Sequence, residues 1–172
     1  MNHIETQRLI LRHFTEEDIN ALFSILSDKE EAKDYLQYIK SWIQQKGFYY
    51  AICMKTNNVP IGCIHINGDD SHDLGYSIKK EFWHKGICTE ACQAVIDMLK
   101  QINIPYITAT HDVNNPRSGK VMQAIGMKYQ YSYEEYWQPK LYLVTFRMYQ
   151  LNFDDQQDRV YKKYWNKYPV HF

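Results

Sequence analysis

Several features that define other classes of protein are missing from this 172-residue chain. No apolar run approaches the roughly 20 residues that cross a bilayer, and no apolar signal-peptide segment follows the N-terminal MNHIETQRL. Net charge is missing too, because 20 Lys and Arg balance 20 Asp and Glu. A balanced charge favours neither a nucleic-acid footprint nor attraction to an anionic membrane. We therefore expect a cytoplasmic protein with no membrane or nucleic-acid partner.

The chain also lacks the cysteine spacings of disulfide scaffolds and of C-x-x-C redox motifs. Its four cysteines, Cys53, Cys63, Cys88 and Cys92, indicate a reduced compartment. His84, Cys88 and Cys92 recur every four residues, but three soft ligands in a line without a fourth make poor zinc geometry, so no metal is expected. Cys88, at the start of a predicted helix, also leaves open a redox-active thiol of lowered pKa, although no resolving cysteine accompanies it.

Hydrophobic periodicity predicts one domain of mixed elements without internal repeats. Strands are expected over residues 8–14, 48–54, 61–66, 74–78, 106–110, 128–137 and 141–151. Helices are expected from Thr15, where Asp18 completes a capping box, over 29–46, from Ile87, and from Asn115 to about Gly126. This order predicts an α+β layered domain with a mixed sheet over residues 1–153.

Residues 154–172 form a tail rich in Tyr and Trp. Its Tyr161, Tyr164 and Trp165 recur at helical spacing. The stretch 162–168 mixes Lys with aromatic residues, a composition that can stack on nucleic-acid bases, but packing against protein is favoured. We expect the tail to pack on its own domain or on a partner subunit in a homodimer.

The stretch from Leu74 to Ala91 carries the strongest functional signal. An apolar strand leads into a charged loop that ends in Lys85-Gly86, and a helical pattern begins at once. Strand, glycine loop and helix N-terminus together are typical of an anion site, because the first N–H groups of a helix have no intrahelical partner and the helix dipole adds positive charge. Gly86 lets the backbone approach a ligand, and Lys85 and His84 add charge. Since Walker A and GxGxxG patterns are absent, a different phosphate or pyrophosphate site is predicted.

The sequence FWHKGICTEA, residues 82–91, closely resembles motif A of the GNAT N-acetyltransferases, whose Gln/Arg-x-x-Gly-x-Gly/Ala pattern cradles the pyrophosphate of acetyl-CoA. It is most similar to the branch of ribosomal-protein N-terminal (RimJ/RimL-like) acetyltransferases, which typically reads YWGKGYATEA. His84 and Cys88 depart from that pattern, which has a Gly and a small residue there. ETQRLILR (5–12) and DVNNPRS (112–118), the latter followed by Ile-Gly-Met, resemble two further motifs of the branch in the expected order.

The resemblance implies the GNAT fold, with a mixed central β-sheet flanked by helices in three α/β/α layers. It also implies an acetyl-CoA-dependent N-acetyltransferase in which a primary amine, a protein N-terminus or a small amine, attacks the thioester directly. An oxyanion donor is expected on the backbone of the 74–78 strand. The residues implied to contact acetyl-CoA are Ser77, Ile78, Trp83, His84, Lys85, Gly86, Ile87, Cys88, Thr89, Asn115 and Ser118.

Candidate catalytic residues follow from the same resemblance. In this branch a serine at the position of Ser118 hydrogen-bonds the CoA sulfur and returns a proton to the leaving thiolate, whereas many other members use a tyrosine where this chain has Met122. Candidate general bases are Asp73, at the start of the motif A strand, and Glu134 and Glu135, on the strand after the Asn-x-x-Ser helix. Because side chains alternate along a strand, only one of the two glutamates should face the cleft. We rank Glu134 first, then Glu135, then Asp73.

The same motifs leave a second function open, a non-catalytic acyl-CoA-binding sensor on the same fold. A sensor needs the cofactor loop but no general base, so turnover of acetyl-CoA with a panel of amines separates the two. An ordinary strand-to-helix turn is less favoured as an account of the loop, because two other motifs support a cofactor site.

Overall fold

The computed structural model describes residues 3–26, 29–44, 47–137 and 142–172. The chain divides into two compact units. The first comprises Met1–Asp70 and Gly75–Leu99, and the second comprises Ser71–Leu74 and Lys100–Phe172.

The first unit is built on a sheet with strands in the order β1-β2-β3-β4-β5. The strands are β1 (His3–Glu5), β2 (Leu9–Arg12), β3 (Phe48–Met54), β4 (Pro60–Ile66) and β5 (Leu74–Ile78). The pairs β1–β2, β2–β3 and β3–β4 are antiparallel. Its helices are α1 (Ile19–Leu26), α2 (Lys29–Gln44) and α3 (Ile87–Gln101).

The core of the first unit lies between the sheet and helices α1 and α2. The buried cluster combines residues of α1, α2, β3 and β4 with Phe14, which follows β2. Its members are Phe14, Leu22, Leu36, Ile39, Tyr49, Ala51, Cys53 and Cys63. Leu22 and the pair Leu36 and Ile39 are the apolar positions of two amphipathic helices, so their burial follows from a period of 3.6 residues.

The second unit is a three-stranded antiparallel sheet in the order β6-β8-β7. Its elements are β6 (Tyr106–Asp112), α4 (Pro116–Ala124), β7 (Lys128–Trp137), β8 (Tyr142–Asn152) and α5 (Lys163–Lys167). A parallel bridge joins Asp73 to Thr108 of β6. The predicted α+β class with sheets flanked by helices is confirmed, and the described strands form two sheets.

The tail lies on one face and one edge of this second sheet. Its Tyr168 stacks on Tyr133 of β7 with ring centroids 4.8 Å apart, and the Tyr131 hydroxyl donates to the Tyr161 carbonyl oxygen at 2.7 Å. Phe172 then pairs with Ser132 along the free edge of β7, through two backbone hydrogen bonds of 2.9 and 3.0 Å. The assignment of residues 154–172 as a segment separate from the domain stays a prediction.

Element boundaries depart from the sequence expectation at the N-terminal strand. A short strand, β1, precedes it, and β2 ends at Arg12 rather than residue 14. His13 lies just beyond the ladder, where its ring stacks on Tyr50 and its Nδ1 lies 3.3 Å from the Tyr49 carbonyl oxygen. The last two residues of the predicted second helix, 45 and 46, lie outside the described residues.

Candidate active site

The loop between β5 and α3 is closed at its base by hydrogen bonds to the strands. The Trp83 indole N–H donates to the Ile78 carbonyl oxygen at 3.0 Å. The Lys79 N–H donates to the Ile61 carbonyl oxygen on β4 at 2.9 Å. A single 3₁₀ turn, Lys80–Phe82, fills the space between these contacts. Trp83 and Ile78 are thus structural supports of the loop as well as predicted contacts to the cofactor.

Two residues of the loop adopt left-handed backbone conformations. Gly86 has φ of +71° and His84 has φ of +59°. Glycine adopts this region readily, but a residue with a Cβ is uncommon there. Among the described residues, leaving out its chain neighbours, Arg8 Nη2 alone would lie within 4 Å of a Cβ at position 86, at 3.7 Å. The positive φ, and not crowding, therefore favours glycine here. His84 occupies the position where the resembling branch has glycine, and it keeps the glycine-like conformation.

The loop delivers Gly86 to the N-terminus of α3. The Gly86 carbonyl oxygen accepts the Glu90 N–H at 3.0 Å, which is the first hydrogen bond of this 15-residue helix. The following N–H groups, from Ile87 to Thr89, are those that helix geometry leaves without an intrahelical acceptor. Gly86 and Lys85 are both exposed. An exposed helix N-terminus beside a lysine fits a diphosphate.

The backbone of β5 at Ser77 packs directly against Gly62 of β4. A Cβ on Gly62 would lie 2.2 Å from the Ser77 carbonyl oxygen, so glycine is required at 62 for the strands to pair here. The Ser77 side chain, which is exposed, hydrogen-bonds the thiol of Cys63. Gly62 therefore fixes the position of the strand on which the oxyanion donor is expected.

The four thiols are not activated. Burial raises the pKa of Cys88 to about 11, despite its place in the first turn of α3. Burial also raises the pKa of Cys53 to about 11, and it raises those of Cys63 and Cys92. The lowered pKa that the sequence left open for Cys88 is wrong, because desolvation of the thiolate outweighs the helix dipole. Among the described residues no group of His, Cys, Asp and Glu could hold a metal ion.

Asn115 and Ser118 lie at the start of α4 in the second unit. Pro116 is the first helical residue, as predicted, and the Ser118 N–H donates to the Asn115 carbonyl oxygen at 3.2 Å. Asn115 is exposed and Ser118 is half-buried. The next residue, Gly119, packs on the ring of His111, whose Nε2 would lie 2.6 Å from a Cβ at 119. The sequence did not indicate His111, and its contact with Gly119 fixes α4 closely on β6.

The three candidate bases lie in different surroundings within the second unit. The Thr145 hydroxyl donates to Glu134 at 3.4 Å, whereas Glu135 accepts a hydrogen bond from the Tyr168 hydroxyl of the tail. The Asp73 carboxylate accepts the Thr108 hydroxyl at 3.0 Å.

The two glutamates lie on opposite faces of the three-stranded sheet. Thr145 alternates onto the same face as Tyr149, which contacts His111 beneath α4, so Glu134 shares the face that carries α4. Glu135 lies on the face that carries the tail. The predicted alternation therefore holds, and it is Glu134 that shares a face with the helix of Ser118.

Comparisons with known proteins agree with this fold. The model of the GNAT acetyltransferase domain matches residues 8–128. The uncharacterized N-acetyltransferase YnaD of Bacillus subtilis (strain 168) is 27% identical over 143 residues, which cover 73% of this chain and 82% of the relative.

No helix among the described residues is long and apolar enough to cross a membrane.

Two solved structures share the fold at low sequence identity. An acetyltransferase from Salmonella typhimurium that modifies the N-terminal serine of a 50S ribosomal subunit protein has a TM-score of 0.80 at 18% identity, covering 89% of this chain and 100% of its own. The microcin self-immunity acetyltransferase MccE, in complex with acetyl-CoA and AMP, has a TM-score of 0.78 at 14% identity, covering 86% and 93%. The predicted fold and enzyme class are confirmed: the chain belongs to the GNAT family of acetyltransferases.

Proposed function

We propose that this protein transfers the acetyl group of acetyl-CoA to a primary amine by direct attack of the amine on the thioester. The observation that carries the proposal is the geometry of the Lys85-Gly86 loop. This loop places an exposed, left-handed glycine at the N-terminus of a 15-residue helix. Backbone N–H groups and the helix dipole there would hold the diphosphate of the co-substrate. Membership of an acetyltransferase family does not favour the alternative of a non-catalytic sensor.

Direct attack is supported by the state of the thiols. An acyl-enzyme intermediate on cysteine requires a thiolate at working pH. All four cysteines have raised pKa values, and Cys53, Cys63 and Cys92 are buried. Steady-state kinetics with both substrates varied separates the two routes. A covalent route through cysteine gives double-reciprocal plots of the initial rate with parallel lines, whereas direct attack gives intersecting lines.

Proton transfers are assigned to two residues of the second unit. Glu134 receives one proton from the attacking ammonium, directly or through water. Ser118 passes its hydroxyl proton to the leaving CoA thiolate and takes up the second proton that the nitrogen releases as the amide forms. Both lie on the α4 side of the three-stranded sheet, Ser118 in the first turn of α4 and Glu134 on β7. Glu135 is less suited, because it lies on the opposite face of the sheet, the face that carries the tail.

A protein α-amine is the first acceptor to test. The Salmonella neighbour acts on the N-terminal serine of a ribosomal protein, and the residues that resemble this branch span the opening strand, the loop and the Asn-x-x-Ser helix. A small amine, including an aminoglycoside, is the competing acceptor.

The test combines binding with turnover. Calorimetry with acetyl-CoA should show binding that Gly86→Glu abolishes, because a carboxylate and a Cβ then occupy the anion site. Release of CoA should be measured with a peptide that carries a free N-terminal serine, the same peptide with an acetylated N-terminus, a polyamine and an aminoglycoside. Binding without turnover of any amine would support the sensor instead, and unchanged affinity in Gly86→Glu would remove the basis of the proposal.

A further inference from the structure

Arg8, in the first unit, lies against the loop that carries Gly86. Its Nη1 donates to the Lys85 carbonyl oxygen at 2.9 Å, and its Nε donates to the Glu90 carboxylate at 2.6 Å. Its Nη2 lies 3.7 Å from the position of a Cβ on Gly86. One guanidinium thus contacts the end of the loop and the first turn of α3 at the same time.

Glu90 is held firmly enough to orient this arginine. Its carboxylate accepts hydrogen bonds from the Thr6 hydroxyl at 2.5 Å and from the Arg8 N–H at 3.0 Å, besides the contact to Arg8 Nε. Burial alone would raise the pKa of Glu90, but the hydrogen bonds from Thr6 and Arg8 hold it below its ordinary value. The carboxylate therefore stays ionised, and its charge near the N-terminus of α3 is favourable.

The contact to Lys85 controls the direction of the next N–H group. In a trans peptide the C=O and N–H bonds point to opposite sides. When Arg8 holds the Lys85 carbonyl oxygen, the Gly86 N–H must point away from Arg8. Gly86, at one end of this peptide, is left-handed here, but a glycine permits many other orientations. Without an external contact the peptide could rotate and withdraw its N–H from an anion.

We propose that Arg8 is a positioning residue that fixes the Lys85–Gly86 peptide for the diphosphate of acetyl-CoA, with Glu90 holding Arg8 in place. This inference rests on the proposed function, since it assigns Arg8 a role at the same cofactor site. It also gives a physical reason for the joint presence of the opening-strand and loop motifs. Arg8 belongs to the first motif and Glu90 to the second, and the two side chains are in contact although they are 82 residues apart in the chain.

The test uses two acetyl donors that differ in the diphosphate. S-acetylpantetheine has the thioester and pantetheine arm of acetyl-CoA but no diphosphate, so it does not use the Gly86 N–H. In Arg8→Gln we expect KM for acetyl-CoA, and the dissociation constant of CoA by calorimetry, to rise about 10-fold or more, the size expected for lost charge-assisted hydrogen bonds. We expect kcat with saturating acetyl-CoA, and kcat/KM with S-acetylpantetheine, to change less than about 2-fold.

Two further variants separate charge from geometry. Arg8→Lys keeps the positive charge but cannot reach Glu90 and the Lys85 carbonyl oxygen with one planar group. It should therefore bind CoA nearly as weakly as Arg8→Gln. Glu90→Gln keeps the Arg8 side chain but weakens the contact that orients it, so a smaller loss of CoA affinity is expected. Hydrogen exchange of residues 83–90 in the protein without CoA should be faster in all three variants than in the wild type.

Arg12 provides a matched control in the same unit. Its guanidinium pairs with Asp18 through two hydrogen bonds of 2.7 and 2.9 Å, away from the loop, and its side chain is less exposed than that of Arg8 (19% against 41%). Arg12→Gln should lower stability without distinguishing between the two donors.

The outcomes are separable. Equal loss with both donors in Arg8→Gln, or full CoA affinity in Arg8→Lys, would overturn the positioning role while leaving the proposed function intact. Failure of the wild-type protein to bind CoA would overturn the proposed function, and this inference with it.

Discussion

Ser118 is the candidate proton donor to the leaving thiolate, and its place in the structure supports that role. It lies in the first turn of α4, half-buried, with its N–H donated to Asn115. Four residues later the side chain is Met122, which is buried and has no proton to donate. If a side chain protonates the leaving thiolate, Ser118 is a better candidate than Met122.

Replacing Ser118 with alanine should therefore slow the chemical step and leave binding almost unchanged. We expect kcat to fall roughly 10²- to 10⁴-fold, the range for loss of a general acid, with little change in KM for acetyl-CoA. Steady-state kinetics with an identified acceptor, alongside Ser118→Thr as the variant that keeps a hydroxyl, measures this. A kcat equal to that of the wild type in Ser118→Ala, with chemistry limiting the rate, would show that the hydroxyl is dispensable.

Single positions also mark where inference from the sequence ends. The role of Gly86 could be predicted, because a loop that joins a strand to a helix and binds an anion needs a residue without a Cβ. The left-handed conformation of His84 could not, because residues with a Cβ are uncommon in that region. The raised pKa of Cys88 could not be predicted either, because it depends on burial by residues that are distant in sequence.

At the scale of elements, the turn before α1 combines a local signal with a distant one. Thr15 and Asp18 form the predicted capping box, in which the Thr15 N–H donates to the Asp18 carboxylate at 2.8 Å. Arg12 of β2 adds two hydrogen bonds to the same carboxylate. Burial would raise the pKa of Asp18, but the hydrogen bonds from Arg12 and Thr15 bring it below its ordinary value.

The capping carboxylate predicts a pH-dependent stability. Because the folded state lowers the pKa of Asp18, its contribution is present above about pH 4, the ordinary value for Asp, and is lost as the pH falls through the folded value. Asp18→Asn should lower the free energy of unfolding at pH 7 by about 2 kcal/mol, between the loss of a helix cap and of a buried ion pair.

Urea titrations at pH 7 and pH 3 measure this difference, which should shrink at pH 3. The matched control is Glu16→Gln, because Glu16 pairs with Lys40 on the surface, where both side chains are exposed. That variant should change stability by less than about 1 kcal/mol. An equal effect of Asp18→Asn at both pH values would contradict the assigned role of the charge.

The end of the tail acts as a fourth strand on the edge of β7. Three backbone hydrogen bonds join Val170 and Phe172 to Ser132 and Glu134, at 2.9 to 3.0 Å. Deleting residues 170–172 should lower the free energy of unfolding by up to about 3 kcal/mol, at about 1 kcal/mol for each bond. Thermal or urea unfolding measures it, and Phe172→Ala is the control that keeps the backbone. A deletion with wild-type stability would show that this pairing contributes nothing.

At the scale of the whole molecule, the sequence predicted the order of elements far better than the contacts among them. Strands, helices and the Asn115-Pro116 start of α4 follow from patterns within a few residues. The link from Arg8 to Glu90 spans 82 residues, and the face of the sheet that each glutamate occupies depends on the register of β7 with β8. Such long-range features are set by packing, which periodicity does not encode.

The reaction of the whole enzyme should reveal its base through its pH dependence. The acceptor amine must be neutral to attack, so kcat/KM should rise with pH until the base or the amine has titrated. Since Glu134 shares a face of the sheet with α4, and Glu135 lies on the opposite face, removal of the charge at 134 should have the larger effect.

We expect Glu134→Gln to lower kcat/KM by about 10²-fold or more and to flatten the acidic limb of the profile. Glu135→Gln and Asp73→Asn are the matched controls, because each removes one carboxylate that is bound to a neighbouring hydroxyl, Tyr168 or Thr108. Their profiles should keep the wild-type shape. A flattened limb in either control instead would move the base to that residue. If all three variants kept the wild-type profile, proton loss through water, or uptake of the neutral amine from solution, would replace a carboxylate base in the mechanism.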